Sequence, residues 1–223
     1  MCAIFGFTSP SLKKEQILPY FEKTKSRGPD DTRLEPAGSG MLGFHRLAIM
    51  GLHPEGMQPF HRGGDMAVCN GELYGFRPVK KALEAKGYVF ASDSDCEIIL
   101  PLWQEYGTEM FAGLDAEFAM IIYDSASDSL VAARDPIGIR PLFYGYLADG
   151  SIIFASEAKN LVGLCAHVFP FPPGHYYKDG KFVRYTDLTT ATRYSSDDLD
   201  TVTKKIREKL ISAVEKRLDA DAP

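Results

Sequence analysis

The sequence lacks several features that mark common classes of protein. No segment approaches about 18 uninterrupted apolar residues, and no basic region followed by an apolar stretch opens the chain, so neither a membrane-spanning helix nor a secretion signal is predicted. No basic block is interleaved with aromatic residues, and the net charge of −5 argues against nucleic acid as the main partner. We therefore expect a cytoplasmic protein that binds a small molecule or another protein.

The sequence also lacks the cysteine and histidine spacings that bind structural metals. The four cysteines, at positions 2, 69, 96 and 165, contain no Cys-x-x-Cys pair, and the five histidines offer no paired ligands near them. Disulfide frameworks belong mainly to small secreted chains, which this one does not resemble. The sequence therefore predicts no metal ligands, and it disfavours a disulfide framework.

The composition and the spacing of apolar residues predict a globular fold that mixes strands and helices. The chain has 223 residues, 45% hydrophobic and 12% aromatic, which is enough to bury a sizeable core. Apolar runs bounded by turn residues predict strands at residues 2–7, 44–50, 66–73, 118–123, 130–133, 142–147 and 151–155, and a hairpin at 176–185 that turns at Asp179-Gly180. Helical spacing predicts helices at residues 12–25, 79–86 and 96–106.

Several local signals refine these elements. We expect Pro19 to interrupt the first helix, Ser94 or Asp95 to cap the third, and Asn70-Gly71 to break the strand at 66–73. The four strands between residues 118 and 155 are expected to form one antiparallel meander.

The last part of the chain differs in kind from the rest. Its apolar residues fall on one face of a predicted helix, namely Leu199, Val202, Ile206, Leu210, Val214 and Leu218. Such a face needs a cover, so the helix either packs back on the domain or is the first helix of a further domain. We expect the second arrangement, in which residues 1–190 form one domain and residues 191–223 are a linker and helix leading to a further domain. In isolation, the exposed face predicts association, for example as a homodimer.

One glycine pattern is misleading. Residues 38–43 satisfy the Gly-x-Gly-x-x-Gly pattern of dinucleotide-binding loops. That pattern needs a strand before it and a helix after it, whereas here a polar loop precedes and an extended segment follows. We interpret it as a turn.

Cys2 is the most informative residue of the sequence. A small residue after the initiator favours removal of Met1, which would place a thiol and a free α-amine on one residue. Such a residue supplies a nucleophile and its general base together, and the two groups titrate near about 8.5 and about 7.7 to 8.0. The alternative is a small apolar residue that begins a buried strand. If Met1 is retained, the role of the amine as a general base fails.

Four separated pieces contain the groups that a pocket for a free amino acid needs: residues 27–31, 45–47, 70–72 and 94–97. They include a guanidinium that can pair with an α-carboxylate, carboxylates that can receive an α-ammonium, and an Asn-Gly pair whose N–H groups can stabilise an oxyanion. Taken singly, each piece has an ordinary explanation as a loop, a surface cation, a tight turn or a helix cap.

Three of these pieces, together with two further motifs, resemble class II glutamine amidotransferases. The motifs are Met1-Cys2-Ala3-Ile4-Phe5-Gly6, Arg27-Gly28-Pro29-Asp30-Asp31, Asn70-Gly71-Glu72-Leu73-Tyr74, Ser94-Asp95-Cys96-Glu97 and Arg134-Asp135-Pro136-Ile137-Gly138-Ile139-Arg140-Pro141-Leu142. The second, the fourth and Phe171-Pro172-Pro173-Gly174-His175-Tyr176 are most similar to the glutaminase domain of glutamine-hydrolysing asparagine synthetases. The resemblance spans most of the chain and implies an α+β fold, a four-layer αββα sandwich of two stacked antiparallel sheets, as in N-terminal nucleophile hydrolases.

The resemblance also implies catalytic roles. Cys2 would attack the side-chain amide of L-glutamine, and its α-amine would pass the proton to the departing ammonia. Asn70 and Gly71 would form the oxyanion hole. Water would then hydrolyse the glutamyl thioester to glutamate.

Substrate binding is implied for six further residues. Arg46 would hold the α-carboxylate of glutamine, and Glu72 and Asp95 would meet its α-ammonium. The backbone of the remaining three would line the site: Leu47, Ile49 and Met50. Arg27 is expected to organise the loop over the nucleophile without a chemical step of its own. Arg134 and Asp135 are expected to form a turn with an internal ion pair.

One motif of asparagine synthetases is missing. Their synthetase domain binds ATP through a Ser-Gly-Gly-x-Asp-Ser loop, which does not occur here. We therefore expect no cofactor in this chain, with ATP and magnesium confined to a synthetase domain that follows it covalently and transfers the ammonia to aspartate. The alternatives are a glutaminase domain serving a sugar-phosphate or phosphoribosyl acceptor, and a non-catalytic glutamine-binding regulatory module.

Overall fold

The structure of the protein is a computed structural model, and it describes residues 1–191 and 193–222. Thr192 and Pro223, both within the predicted linker and helix at 191–223, lie outside the described residues. Every helix of the described part is too short or too polar to span a bilayer.

The described chain contains strands and helices in mixed order. The strands are β1 (Ala3–Thr8), β2 (Asp31–Ala37), β3 (Gly40–Arg46), β4 (Phe60–Arg62), β5 (Asp65–Leu73), β6 (Ala116–Asp124), β7 (Ser129–Arg134), β8 (Phe143–Tyr146), β9 (Ile152–Ala155), β10 (Val168–Pro170), β11 (His175–Lys178) and β12 (Lys181–Arg184). The α-helices are α1 (Lys14–Phe21), α2 (Phe76–Ala85), α3 (Ile99–Tyr106), α4 (Met110–Gly113) and α5 (Leu199–Lys216). Short 3₁₀ segments include Glu22–Arg27, Pro54–Gly56 and Asp95–Ile98.

The strands form two antiparallel sheets. The first sheet has the spatial order β10-β8-β9-β1-β3-β2, and the second has the order β12-β11-β7-β6-β5-β4. Because side chains alternate along a strand, each sheet presents one apolar face to the other sheet and one to helices. Ile4, Val68 and Ile121 meet between the sheets in one buried cluster.

Helices cover the two outer faces. On the first sheet, Phe5 and Phe7 pack with Ile17 and Phe21 of α1. On the second sheet, residues of β5 and β6 pack with α2, α3 and α4. Burying an aromatic or branched apolar side chain contributes about 1.5 to 3 kcal/mol. The two outer clusters therefore stabilise the predicted order of layers, and the four-layer α+β fold is confirmed.

Several local predictions agree with the structure. The hairpin of β11 and β12 turns at Asp179 and Gly180, both with positive φ. α2 and α3 end at Gly87 and Gly107, which also have positive φ, a conformation that glycine adopts without strain. The glycine pattern at 38–43 begins in the turn between β2 and β3.

The predicted meander is wrong. β6 and β7 pair in the second sheet, whereas β8 and β9 pair in the first. The segment between β7 and β8, residues 135–142, carries the chain from one sheet to the other. Local turn signals reveal that a strand ends, but they do not show which sheet the next strand joins.

Two predicted interruptions are also wrong. β5 continues through Asn70 and Gly71, which pair with Ala119 and Phe118 of β6. The long neighbouring strand supplies partners along this whole stretch, which outweighs the turn preference of Asn-Gly. Likewise α1 continues through Pro19, because a proline removes only one helical hydrogen bond and Phe21 is packed in the core.

Two element starts differ from the prediction. The strand predicted at 44–50 begins earlier, at Gly40, and ends at Arg46. Neither Ser94 nor Asp95 caps a helix with its side chain, and the chain enters α3 through a 3₁₀ turn. The Asp95 carboxylate accepts instead from the Leu73 N–H of β5, at 2.7 Å.

Helix α5 differs from the others because none of its residues is buried. Its exposed apolar side chains include Leu199, Ile206, Leu210, Ile211 and Val214. The helix begins at the cap Asp198, whose carboxylate accepts from Thr201 N–H at 2.8 Å. This local cap, rather than core packing, accounts for where the helix begins.

Candidate active site

A cavity that opens to solvent lies between the start of β1 in the first sheet and the end of β5 in the second. It is lined by all nine predicted site residues: Cys2, Arg46, Leu47, Ile49, Met50, Asn70, Gly71, Glu72 and Asp95. These residues are distant in sequence, and the stacking of the two sheets brings them together. The structure does not test their chemical roles, which stay predictions.

Cys2 is placed by the pairing of β1 with β3. Its thiol lies against the first residue after β3: Leu47 N–H donates to Cys2 Sγ at 3.3 Å, and the thiol reaches Leu47 O at 3.4 Å. Burial raises the pKa of the Cys2 thiol, and the hydrogen bond from Leu47 opposes that shift. Met1, 49% exposed, also lines the cavity, and burial lowers the pKa of its α-ammonium.

Arg27 holds the backbone next to the thiol. Its Nε donates to the carbonyl of Cys2 at 3.1 Å, and its Nη1 pairs with Glu157 at 2.8 Å. Arg27 was predicted to organise the loop over the nucleophile, and in the structure it contacts the backbone of the nucleophile residue directly. Because the guanidinium is planar, fixing two of its nitrogens fixes its orientation.

Asn70 is buried, 2% exposed, and lines the cavity from β5. Its Nδ2 is buried and has no hydrogen-bond partner among the described residues. An unpaired buried donor is costly, so it calls for an explanation. A donor kept free at a cavity wall can serve an oxyanion that forms there during a reaction.

Gly71 lies beside Asn70, where β5 passes close to β6. A Cβ at this position would lie 2.5 Å from the carbonyl oxygen of Glu117. Any side chain would therefore push the two strands apart. Glycine at this position therefore allows the β5 backbone, which forms the cavity wall, to lie close to β6.

Arg46 is buried at the end of β3, 7% exposed. Its Nη1 donates to His53 O at 3.1 Å, and its Nη2 donates to Gly51 O. Both acceptors belong to the segment 47–56, which follows β3. The guanidinium is thus oriented by this loop at the wall of the cavity.

Glu72 and Asp95 provide the acidic side of the cavity. Asp95 is 5% exposed, and burial raises the pKa of its carboxyl while the Leu73 N–H opposes the shift. Glu72 is paired with Arg140 at 3.1 Å. The same guanidinium nitrogen pairs with Glu117 at 2.9 Å.

Arg140 lines the cavity, although its motif, residues 134–142, gave no sign of such a place. Asp135, 1% exposed, accepts from the amides of Ile137, Gly138, Ile139 and Arg140 at 2.6 to 3.1 Å. This turn carries the Arg140 side chain to the cavity. The predicted ion pair within the turn is wrong, because the Arg134 guanidinium donates to backbone carbonyls instead.

Gln58 is a second residue that sequence reasoning missed. Its side chain donates to Cys69 O at 3.2 Å and accepts from Cys69 N–H at 2.6 Å. It therefore holds β5 immediately before Asn70. A buried glutamine in a loop carries no signal in the sequence that would reveal this pairing.

Across residues 1–191 and 193–222, no group of three or more His, Cys, Asp or Glu side chains is arranged to hold a metal ion. The functional groups that line the cavity include the Cys2 thiol, the amide donor of Asn70, two guanidinium groups and two carboxylates. Such a set can bind an amino acid through its charged α-groups and attack a carbonyl carbon.

Comparison with known proteins agrees with this chemistry. The family profile described as "Glutamine amidotransferase domain" matches residues 1–176. A probable glutamine-hydrolysing asparagine synthetase of Dictyostelium discoideum is 34% identical over all of this chain and 42% of its own length. The asparagine synthetase of Sandersonia aurantiaca is 36% identical over 99% of this chain and 42% of its own length. The chain thus spans about two fifths of the length of these curated relatives.

A solved structure shares the fold. The glutamine phosphoribosylpyrophosphate amidotransferase of B. subtilis, complexed with ADP and GMP, aligns with a TM-score of 0.67 and 21% identity, over 83% of this chain and 49% of that one. At this identity the likeness concerns the fold alone. The family match over residues 1–176 is the stronger finding, and by it the chain belongs to the glutamine amidotransferase domain family.

Proposed function

We propose that this domain hydrolyses the side-chain amide of L-glutamine to glutamate and ammonia through a thioester on Cys2. The observation that carries the proposal is that Cys2 lines the same cavity as Asn70, whose Nδ2 has no hydrogen-bond partner in the described part of the chain. A nucleophile and a free oxyanion donor are the two groups that acyl transfer requires.

Residues of the cavity account for substrate binding in this proposal. The guanidinium of Arg46 faces the α-carboxylate of glutamine, and the carboxylates of Glu72 and Asp95 face its α-ammonium. Arg140 neutralises part of the negative charge on Glu72 and so holds that carboxylate in place. The backbone of Leu47, Ile49 and Met50 forms the remaining wall.

The reaction follows in two steps. Removal of Met1 exposes the α-amine of Cys2, which takes the thiol proton while sulfur attacks the amide carbon. Asn70 Nδ2 and Gly71 N–H stabilise the oxyanion. The C–N bond then breaks, the amine returns the proton, and ammonia leaves. Water attacks the thioester, releasing glutamate and restoring the Cys2 thiol.

The test compares glutamate release by the wild-type protein with that by Cys2→Ala, with intact mass recorded for each. Cys165→Ala is the matched control, because Cys165 lies outside the cavity lining. We expect turnover in the Met-processed wild type and in the control, and none in Cys2→Ala. A processed wild type that binds glutamine without turnover would support the non-catalytic alternative instead.

We further propose that the ammonia serves conversion of aspartate to asparagine, in a domain that binds ATP and magnesium and follows residues 191–223. This proposal is supported by the relatives, which are named asparagine synthetases. The coding sequence beyond residue 223 tests it directly. A Ser-Gly-Gly-x-Asp-Ser loop is expected, and a phosphoribosyltransferase or sugar-phosphate domain there would contradict it.

A further inference from the structure

The segment that follows α5, residues 217–222, folds back onto the candidate active site. It contacts the site at two places, one on the side of Arg46 and one on the side of Glu72. An ion pair anchors the segment to α2: the Arg77 guanidinium pairs with both carboxylate oxygens of Asp219, at 2.9 and 3.2 Å.

On the side of Arg46, the segment binds the loop 47–56. The N–H groups of Asp221 and Ala222 donate to Ile49 O at 3.1 and 3.0 Å. In return, Gly51 N–H donates to the Asp221 carboxylate at 2.8 Å. The carbonyl of the same Gly51 accepts from the guanidinium of Arg46. A continuous set of hydrogen bonds therefore runs from Asp221 through Gly51 to Arg46.

On the side of Glu72, the guanidinium of Arg217 lies 4.4 Å above the ring centre of Tyr74. The Tyr74 hydroxyl donates to Glu117 at 2.9 Å and reaches Glu72 at 3.4 Å. This contact and the Arg77 ion pair do not depend on Asp221. Replacing Asp221 therefore removes one contact to the loop while other contacts keep the segment in place.

We propose that Asp221 is a positioning residue for glutamine binding: it holds the loop 47–56 and thereby sets the guanidinium of Arg46 that receives the α-carboxylate. Both hydrogen bonds that the Arg46 guanidinium donates within the described chain go to this loop, so the loop sets the orientation of the guanidinium. The inference rests on the function proposed above. Anything that displaces the segment 217–222 must also change the affinity for glutamine, and the coupling is reciprocal.

The experiment measures steady-state hydrolysis of L-glutamine by Asp221→Ala, Asp221→Asn and Asp200→Ala in the full chain. Asp221→Ala should raise KM about threefold to tenfold, the effect of one net hydrogen bond, with kcat nearly unchanged. Asp221→Asn keeps an oxygen acceptor for Gly51 N–H and should restore KM. Asp200, an exposed residue of α5, provides the same loss of charge away from the loop and should have no effect.

Two further readouts make the test decisive. With L-glutaminol, which has a hydroxymethyl group in place of the α-carboxylate, KM should be the same for wild type and Asp221→Ala. Hydrogen exchange should show the Gly51 amide less protected in Asp221→Ala, whether or not the protein is active. If the wild type is active and Asp221→Ala has the same KM, the inference is overturned. Unchanged protection of the Gly51 amide in Asp221→Ala would also overturn it. Absence of turnover in the wild type would refute the proposed function alone.

Discussion

Two buried asparagines provide a sharp test of the proposed oxyanion hole. Asn70 and Asn160 are 2% and 1% exposed. The Nδ2 of Asn70 has no partner within the described chain. The Nδ2 of Asn160 donates to Tyr20 O at 2.8 Å, to Thr24 Oγ1 at 3.0 Å and to Phe21 O at 3.3 Å. One side chain is available for chemistry, and the other is committed to the fold.

For Asn70→Ala we expect a large kinetic effect with a small effect on stability. Loss of one oxyanion donor typically lowers kcat about 100-fold to 1,000-fold, which is about 2.7 to 4 kcal/mol of transition-state stabilisation. KM should change little, because the interaction forms only when the carbonyl becomes an oxyanion. Removing a donor that has no partner loses no hydrogen bond, so the free energy of unfolding should fall by no more than about 1 kcal/mol.

For Asn160→Ala the pattern should be reversed. The substitution removes the hydrogen bonds that the buried Asn160 amide donates to two backbone carbonyls and the Thr24 hydroxyl, which costs about 1 to 3 kcal/mol. In a domain of this size each kcal/mol lowers Tm by about 2 to 4 °C. The kcat of the folded fraction should match the wild type, because Asn160 lies outside the cavity lining.

The assay combines glutamate release with thermal unfolding monitored by circular dichroism on the same preparations. A kcat of Asn70→Ala within tenfold of the wild-type value would refute the role of Asn70 in the oxyanion hole. A loss of thermal stability in Asn70→Ala as large as that in Asn160→Ala would also refute it, because Asn70 would then support the fold rather than the reaction.

Two further predictions concern the nucleophile and the loop beside it. Burial raises the pKa of the Cys2 thiol in the chain that retains Met1. The rate of its alkylation by iodoacetamide should therefore be half-maximal above about pH 8.5, the ordinary thiol pKa. The rate should fall as the pH falls through the raised pKa, because the thiolate is the reactive form. Peptide mass mapping across pH measures this, and a midpoint at or below about pH 8.5 would contradict it. A Cβ on Gly28 would lie 2.2 Å from the carbonyl of His45, so Gly28→Ala should cost about 1 to 3 kcal/mol and displace Arg27. Gly113→Ala, which meets no atom within 4 Å, is the control, and equal Tm values for the two variants would disprove the clash.

Local features could be predicted from the sequence because they depend on neighbours in the chain. The glycines at 87 and 107 end helices by adopting positive φ, and the turn at Asp179-Gly180 pairs the strands on either side of it. The same local reasoning failed where a distant partner competes. Asn70-Gly71 was expected to break a strand, but β6 pairs with it along its length. The local pattern predicts Ser94 or Asp95 as a helix cap, but neither caps, and the Asp95 carboxylate accepts from Leu73 N–H instead.

The sequence by itself determined most strands and helices, because apolar periodicity is a property of the chain. Its ordered motifs also carried the family resemblance, and that resemblance implied the four layers. Only the tertiary structure decided which sheet each strand joins and which groups meet in the cavity. It also revealed Arg140 beside Glu72, Gln58 behind Asn70, and Asp221 on the loop that orients Arg46. The physical reason is that these contacts join groups far apart in the chain. Their energies depend on distance in space, which no spacing in the sequence encodes.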